Sequence, residues 1–208
     1  MKNLRIVENP IIQRDMTTLR DKNTSTYEFR MALRRISYAM AVEISKTFKV
    51  VEKKIETPLE VTKGYVLDEK IIIIPVLRAG LSLVDSFLEM IPSAKVGHIG
   101  LQRDEKTLLP KDYYYKTPVD LPNSRVIVLD VMLATGGSAS AAVNSLKQKG
   151  AKNCMLVCLI AAPEGVKKME NDHPDILIYT STLDRELNEH GYILPGLGDA
   201  GDRTFGTY

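Results

Sequence analysis

Three unbroken apolar runs stand out along the chain: residues 71–77 (IIIIPVL), 126–129 (VIVL) and 154–161 (CMLVCLIA). None alternates with polar positions, so each fits a strand covered on both faces in a parallel sheet. Residues 96–101 and 176–179 read as two further strands, and residues 57–64 as a turn and short edge strand. Pro75 removes a ladder donor and marks the end of its run or a bulge. Elsewhere the period is helical. Phe29, Leu33, Ile36 and Met40 share one face, opened by Ser25 and Glu28 in the form of a capping box. Arg30, Arg34 and Arg35 lie mostly off that face and read as its solvated side. Leu81, Val84, Leu88 and Ile91 form a second face, stopped by Pro92. Ala142, Val143 and Leu146 form a third, ended by Gly150, and Pro163 sits in the first turn of a short helix. Strands alternating with helices predict an α/β fold: a mostly parallel central sheet flanked by helices, in one domain spanning residues 1–208.

Two stretches depart from this pattern. Residues 104–122 show no helical period and read as an extended hairpin arm or a flap. Tyr113, Tyr114 and Tyr115 within it fit the pleat of a hairpin or a subunit contact better than a stacking site. Residues 188–207 hold five glycines and one proline, which favour coil, yet keep Ile193, Leu194, Leu197 and Phe205. Apolar residues of that kind want burial, so the tail reads as ordered coil folded over a site.

Candidate chemistry sits at the ends of the apolar runs. Residues 126–129 end in one carboxylate, Asp130, and continue through Ala134, Thr135, Gly136, Gly137 and Ser138 into a helix. Glycines let backbone approach a ligand, and free N–H groups at a helix N-terminus favour a phosphate. Thr135 and Ser138 can add hydroxyl donors, while Asp130 suits vicinal sugar hydroxyls. An ordinary turn capped by Ser138 is the plainer alternative. The stretch lacks both the Gly-Lys-Ser/Thr of nucleotide hydrolases and the three-glycine spacing of dinucleotide folds. Arg78, followed by Ala79 and Gly80, occupies the carboxyl end of the 71–77 strand, where such sheets place ligands.

Composition narrows the class. A 44% hydrophobic content over 208 residues is enough for a full core. A net charge of +2 argues against a nucleic-acid or membrane partner. Cys154 and Cys158, four apart on one strand, cannot bond each other and read as reduced core thiols, a cytoplasmic habit. No signal-peptide apolar region and no membrane-spanning run is visible. His98 and His190 read as structural.

The stretch from Asp130 to Ser138 resembles the phosphoribosyl-diphosphate (PRPP) signature of type I phosphoribosyltransferases, with Val131 in place of a second acid and Ser138 in place of the usual Thr. Met132-Leu133-Ala134-Thr135-Gly136-Gly137-Ser138 is similar to the uracil phosphoribosyltransferase branch, as is the tail GYILPGLGDAGDRTFGT. The resemblance covers nearly the whole chain. It implies transfer of the 5-phosphoribosyl group from PRPP to N1 of uracil, giving UMP and pyrophosphate in pyrimidine salvage. It implies PRPP contacts at Arg78, Arg103, Asp130, Val131, Met132, Leu133, Ala134, Thr135, Gly136, Gly137, Ser138 and Asp199. Arg78, Arg103 and Asp199 would be catalytic, and Ile193, Gly198, Asp199 and Ala200 would bind uracil through a hood at about 188–208. Ala134 and Tyr192 are candidate pocket walls. Mg²⁺ would enter as the Mg–PRPP complex, a homodimer or higher homo-oligomer is expected, and GTP is a candidate activator. A nucleotide-sensing regulator with the same fold is the competing reading, disfavoured by the intact Arg78 and Arg103 pair and the lack of a basic stripe. Orotate as the base would need a cation, and the hood offers only Arg203.

Overall fold

The computed structural model describes residues 1–103 and 110–208, with side chains described outside 101–113. In chain order its first elements are β1 (Leu4–Ile6), α1 (Pro10–Arg20), α2 (Thr26–Ser45), β2 (Val50–Glu56), β3 (Val61–Leu67), β4 (Lys70–Pro75), α3 (Leu81–Met90), β5 (Lys95–Val96), β6 (His98–Arg103) and β7 (Pro110–Lys116). They continue with β8 (Ser124–Leu129), β9 (Met132–Leu133), α4 (Gly137–Gln148), β10 (Asn153–Ala161), α5 (Pro163–Asp172), β11 (Leu177–Leu183), β12 (Glu186–Leu187), β13 (Ile193–Leu194) and α6 (Ala200–Phe205).

The apolar runs become the centre of a seven-stranded sheet, ordered β1-β11-β10-β8-β4-β5 with β9 also paired to β10. Every pairing in it is parallel. The runs are continuous because successive residues feed opposite, equally apolar faces. Ile71 and Ile73 of β4, Ile127 and Leu129 of β8, and Met155, Val157 and Leu159 of β10 pack with α1, α2 and α3. Ile72 and Ile74, Val126 and Val128, and Leu156 and Cys158 pack on the other side with α4 and α5. A fully buried Ile or Val contributes about 1.5–3 kcal/mol relative to exposure, so this sandwich dominates the stability.

The connections decide where a site can form. From β4 the chain leaves over α3 to the outer strand β5; from neighbouring β8 it leaves over α4, on the other face, toward β10 and β11. The order therefore reverses between β4 and β8, and the loops after these two strands open a crevice at their carboxyl ends.

Several expectations are met and several corrected. The capping box at Ser25 and Glu28 is present. Both cysteines are free, with Cys158 fully buried. Residues 57–64 are not an edge strand of the main sheet. They form the turn and half of β3 in a separate antiparallel hairpin with β2, exposed on both faces. The 96–101 strand divides at Gly97 into β5, on the sheet, and β6, which forms an antiparallel hairpin with β7. A hairpin arm is thus present, although it begins at His98 and the segment 104–109 lies outside the described residues. Within β7, Tyr114 is exposed while Tyr115 packs on the core, as a pleat requires; the Tyr113 side chain lies outside the described residues. The arginines of α2 are partnered rather than merely solvated. Arg35 grips buried Asp15 at 2.8 and 2.9 Å, Arg34 pairs with Glu89, and Arg30 donates to the Thr204 carbonyl at 2.6 Å. The tail is ordered, as expected, but it includes the helix α6, and Phe205 is 39% exposed instead of buried.

Candidate active site

Three loops meet at the crevice. The first follows β4. Val76 donates to the Leu129 carbonyl at 2.8 Å, tying this loop to the end of β8, and the Leu77–Arg78 peptide is cis. A Cβ on Gly80 would lie 2.4 Å from that Leu129 oxygen, so only glycine permits this approach. Arg78 projects to the hood, donating to Asp202 Oδ1 at 3.1 Å and Thr207 Oγ1 at 3.2 Å. Its side chain is 56% exposed, so the pair contributes little stability and leaves the guanidinium available.

The second loop follows β8. Burial pushes the Asp130 carboxyl up to about 7, only partly offset by the N–H groups of Val131 and Met132. Val131 is fully buried among the α1–α3 core residues, and its carbonyl accepts from Leu159 and Ile160. The structure therefore places the Val131 side chain away from the cleft; an acid there would be driven into the core. Asp130, Met132, Leu133, Ala134, Thr135, Gly136, Gly137, Ser138 and Ala139 line a cavity of about 90 Å³. Leu133 contributes backbone there, its side chain being buried. Gly136, at φ +78°, is the N-cap of α4, so Ser138 lies inside the first turn and is not the cap. The first-turn N–H groups of α4 lack intrahelical acceptors and border that cavity. The loop rests on α5, where a Cβ on Gly165 would stand 2.4 Å from the Ala134 carbonyl oxygen.

The third loop is the hood. β12 and β13 pair antiparallel, and the Asn188 side chain accepts from His190 and Tyr192 to close the turn between them. Ile193, Leu197 and Ala200 are buried and anchor the segment. Gly191 faces Thr135, whose methyl would be 3.6 Å from a Cβ there. Asp199 caps α6 by accepting from Asp202 N at 2.9 Å. A Cβ on Gly201 would sit 3.1 Å from Asp199 Oδ1 and 3.4 Å from Arg78 Nη2, so the arginine and this carboxylate face one gap. Gly198 is at φ +78°, and neither its N–H nor its carbonyl is hydrogen-bonded among the described residues.

Arg78, Asp130, the 134–138 loop, Asp199 and the 193–200 turn are thus brought together. The Arg103 side chain lies outside the described residues. His190 is exposed beside Glu189, and His98 opens β6. Tyr192 is half exposed at the hood's rim. Sequence reasoning singled out Asp199 as the hood carboxylate; the structure adds Asp202 and Thr207 on Arg78, and Asp184 beneath the hood. Arg203 is consumed: it donates to the carbonyls of Leu19, Asp21 and Leu197 and stacks on Phe29 at 4.4 Å. Among the described residues no three His, Cys, Asp or Glu side chains form a metal-ligand group. Nor is any described helix long and apolar enough to cross a membrane.

The geometry can be set beside known proteins. The family model for uracil phosphoribosyltransferase matches residues 6–207. A uracil phosphoribosyltransferase from Dictyoglomus thermophilum is 55% identical over 97% of this chain and 98% of its own. One from Bacillus cytotoxicus is 53% identical over the full length of both. Among solved structures, the AQ2163 protein from Aquifex aeolicus aligns with a TM-score of 0.91 at 35% identity, over 98% of each chain. A hypoxanthine-guanine phosphoribosyltransferase from Bacillus anthracis aligns at 0.53 and 16% identity over 76% of this chain, a likeness of fold alone. With the family model spanning almost all of a chain whose crevice joins the Arg78 loop, the Asp130 loop and the hood, this protein belongs to the uracil phosphoribosyltransferase family.

Proposed function

We propose that the chain transfers the 5-phosphoribosyl group of PRPP to N1 of uracil at this crevice. The C1′–oxygen bond to diphosphate breaks, the C1′–N1 bond forms, N1 loses its proton, and UMP and pyrophosphate leave. The observation that carries the reading is the convergence of the Arg78 loop and the α4 N-terminus at the β4/β8 reversal, beneath the hood. The first-turn N–H groups of α4, with Thr135 and Ser138, cradle the 5′-phosphate. Asp130 accepts from the ribose hydroxyls, and Met132, Leu133, Ala134, Gly136 and Gly137 shape the cradle; Val131 acts by backbone position alone. Arg78 takes the diphosphate as its charge grows, with Arg103 as second contact by resemblance. Mg²⁺, carried on PRPP, would supply charge to offset the diphosphate beside Arg78.

Uracil presents an acceptor-donor-acceptor edge. The unpaired Gly198 carbonyl suits N3–H, and amides near Ile193 and Ala200 suit the two oxygens. Asp199 keeps one oxygen for its cap, leaving the other to face Mg–PRPP or a water near N1. Cytosine mismatches two contacts at about 1–3 kcal/mol each, roughly 10²- to 10⁴-fold in all. Arg203, the hood's own arginine, is bound to three carbonyls and is not free to take the carboxylate of orotate. The test is UMP formation from PRPP, Mg²⁺ and uracil, beside cytosine, orotate and hypoxanthine. Turnover with uracil alone is expected. UMP binding without turnover on any base would instead favour a regulator.

We also propose a homodimer, supported by the apolar ribbon of the β2–β3 hairpin. GTP as activator rests on the resemblance and on a cavity of about 360 Å³ containing Arg30, Arg34 and Thr204. The two free thiols, Cys158 buried and Cys154 partly buried, support a cytoplasmic location.

A further inference from the structure

Behind the proposed base-binding turn lies a second set of groups, outside the residues assigned to substrate. Arg20 ends α1, and Asp184 follows β11 directly. They meet side by side, Nη1 to Oδ2 at 2.8 Å and Nη2 to Oδ1 at 2.5 Å. Asp184 Oδ2 also accepts from Gly196 N at 2.9 Å, and Arg20 Nη1 also donates to Gly196 O at 2.9 Å. Both polar backbone groups of Gly196 are therefore held by one ion pair. Asp184 is only 7% exposed. Burial acts to raise its carboxyl, but Arg20 and the Gly196 N–H outweigh burial and hold it below the usual carboxylate range.

The neighbouring residues of α1 complete the grip. The carbonyls of Leu19 and Asp21 hold Arg203, which in turn donates to Leu197 O at 2.8 Å. Gly196 thus spends both backbone groups on this clamp and Leu197 its carbonyl, while Gly198, one residue on, keeps both of its own unpaired among the described residues. Gly196 has no slack: at φ +66°, a Cβ would lie 2.1 Å from Ile193 O. We infer that Arg20 and Asp184 are positioning residues for the nucleobase, fixing the 195–198 turn so that the Gly198 backbone is aimed at the uracil edge.

The inference rests on the base-binding reading of residues 193–200, and one experiment separates the two. Binding of UMP and of ribose 5-phosphate is measured by calorimetry on the full chain, together with the KM values for uracil and PRPP and the Tm. The variants are Asp184→Asn, Arg20→Lys, Gly198→Ala and, as a control, Asp15→Asn. Lysine keeps the charge at position 20 but cannot bridge the carboxylate and the Gly196 carbonyl with a planar fork. Asp15 is buried in a similar carboxylate–arginine pair with Arg35, away from the hood.

Asp184→Asn and Arg20→Lys are expected to weaken UMP about tenfold or more while ribose 5-phosphate stays within about twofold, with uracil KM rising and PRPP KM unmoved. Asp15→Asn is expected to lower Tm without changing the ratio of the two affinities. If both clamp variants behave like Asp15→Asn, or weaken UMP and ribose 5-phosphate equally, the positioning role is overturned. If Gly198→Ala also leaves UMP binding intact, the base-binding reading itself fails. If Gly198→Ala weakens UMP and the clamp variants do not, only the clamp fails. Should Asp184→Asn not fold, Arg20→Lys, which retains the Asp184–Gly196 bond, decides the outcome.

Discussion

At Asp130 the end of β8 partly buries a carboxylate, and burial lifts it to about 7 against the N–H groups that favour its charge. Its folded value lies above the unfolded one, so between about pH 4 and 7 the folded chain binds the extra proton. The resulting stability is present at low pH and lost as pH rises through 7. Asp130→Asn removes this dependence. The expected result is a variant whose denaturant midpoint exceeds the parent's at pH 8 and converges on it toward pH 4; an offset equal at both pH values would refute the assignment. The quantity to read is the difference between the two proteins, because His173, held below its usual value by burial, titrates nearby with the opposite sign. Asp130 and Arg78 were legible in the sequence because each breaks an apolar run at its carboxyl end. Asp184 carries the same signal two strands along the sheet, after β11, yet it was missed. The apolar run there stops at Tyr179, while β11 continues through Thr180, Ser181 and Thr182. Those polar residues are tolerated in the strand because the Thr180 and Ser181 hydroxyls donate to the Thr182 and Leu159 carbonyls.

Among elements, α5 contributes to the site without facing substrate. Gly165 lets the helix seat the 134–138 loop, with its α-carbon closing on Gly136 and on the carbonyls of Leu133 and Ala134. Gly165→Ala would force a methyl against backbone, which cannot swing aside. Ribose 5-phosphate affinity is expected to fall about tenfold or more, with a lower Tm; unchanged binding by calorimetry would show that the cradle does not depend on this seat. The helices and central strands were readable because burial imposes a period on them. The β2–β3 hairpin was not, since both of its faces are exposed and no alternation marks its register. α6 was hidden for another reason. Its six residues sit in a glycine-rich stretch of low helix propensity, and it is held by the Asp199 cap, by Gly206 at φ +70°, and by Arg30 and Arg78 reaching in from other elements.

For the whole molecule, the sheet and its helices satisfy one another, and what they leave over is the β2–β3 ribbon. Val50, Val51, Ile55, Val61, Val66 and Leu67 are all at least 40% exposed along two strands that pack on no sheet. An isolated two-stranded ribbon is marginal in water, and an apolar one invites a cover. The proposed homodimer would supply that cover symmetrically, since the same ribbon on each copy can embrace the other. Light scattering is then expected to give about twice the 23.2 kDa chain mass. Replacing the cross-strand pair Val51 and Val66 with lysine places two like charges opposite each other on that ribbon. The expected outcome is dissociation to the single-chain mass, with the parallel sheet's far-ultraviolet signature retained. A parent that already runs as a single chain, or a doubly substituted protein that stays assembled, would assign the ribbon a different cover and detach it from the assembly.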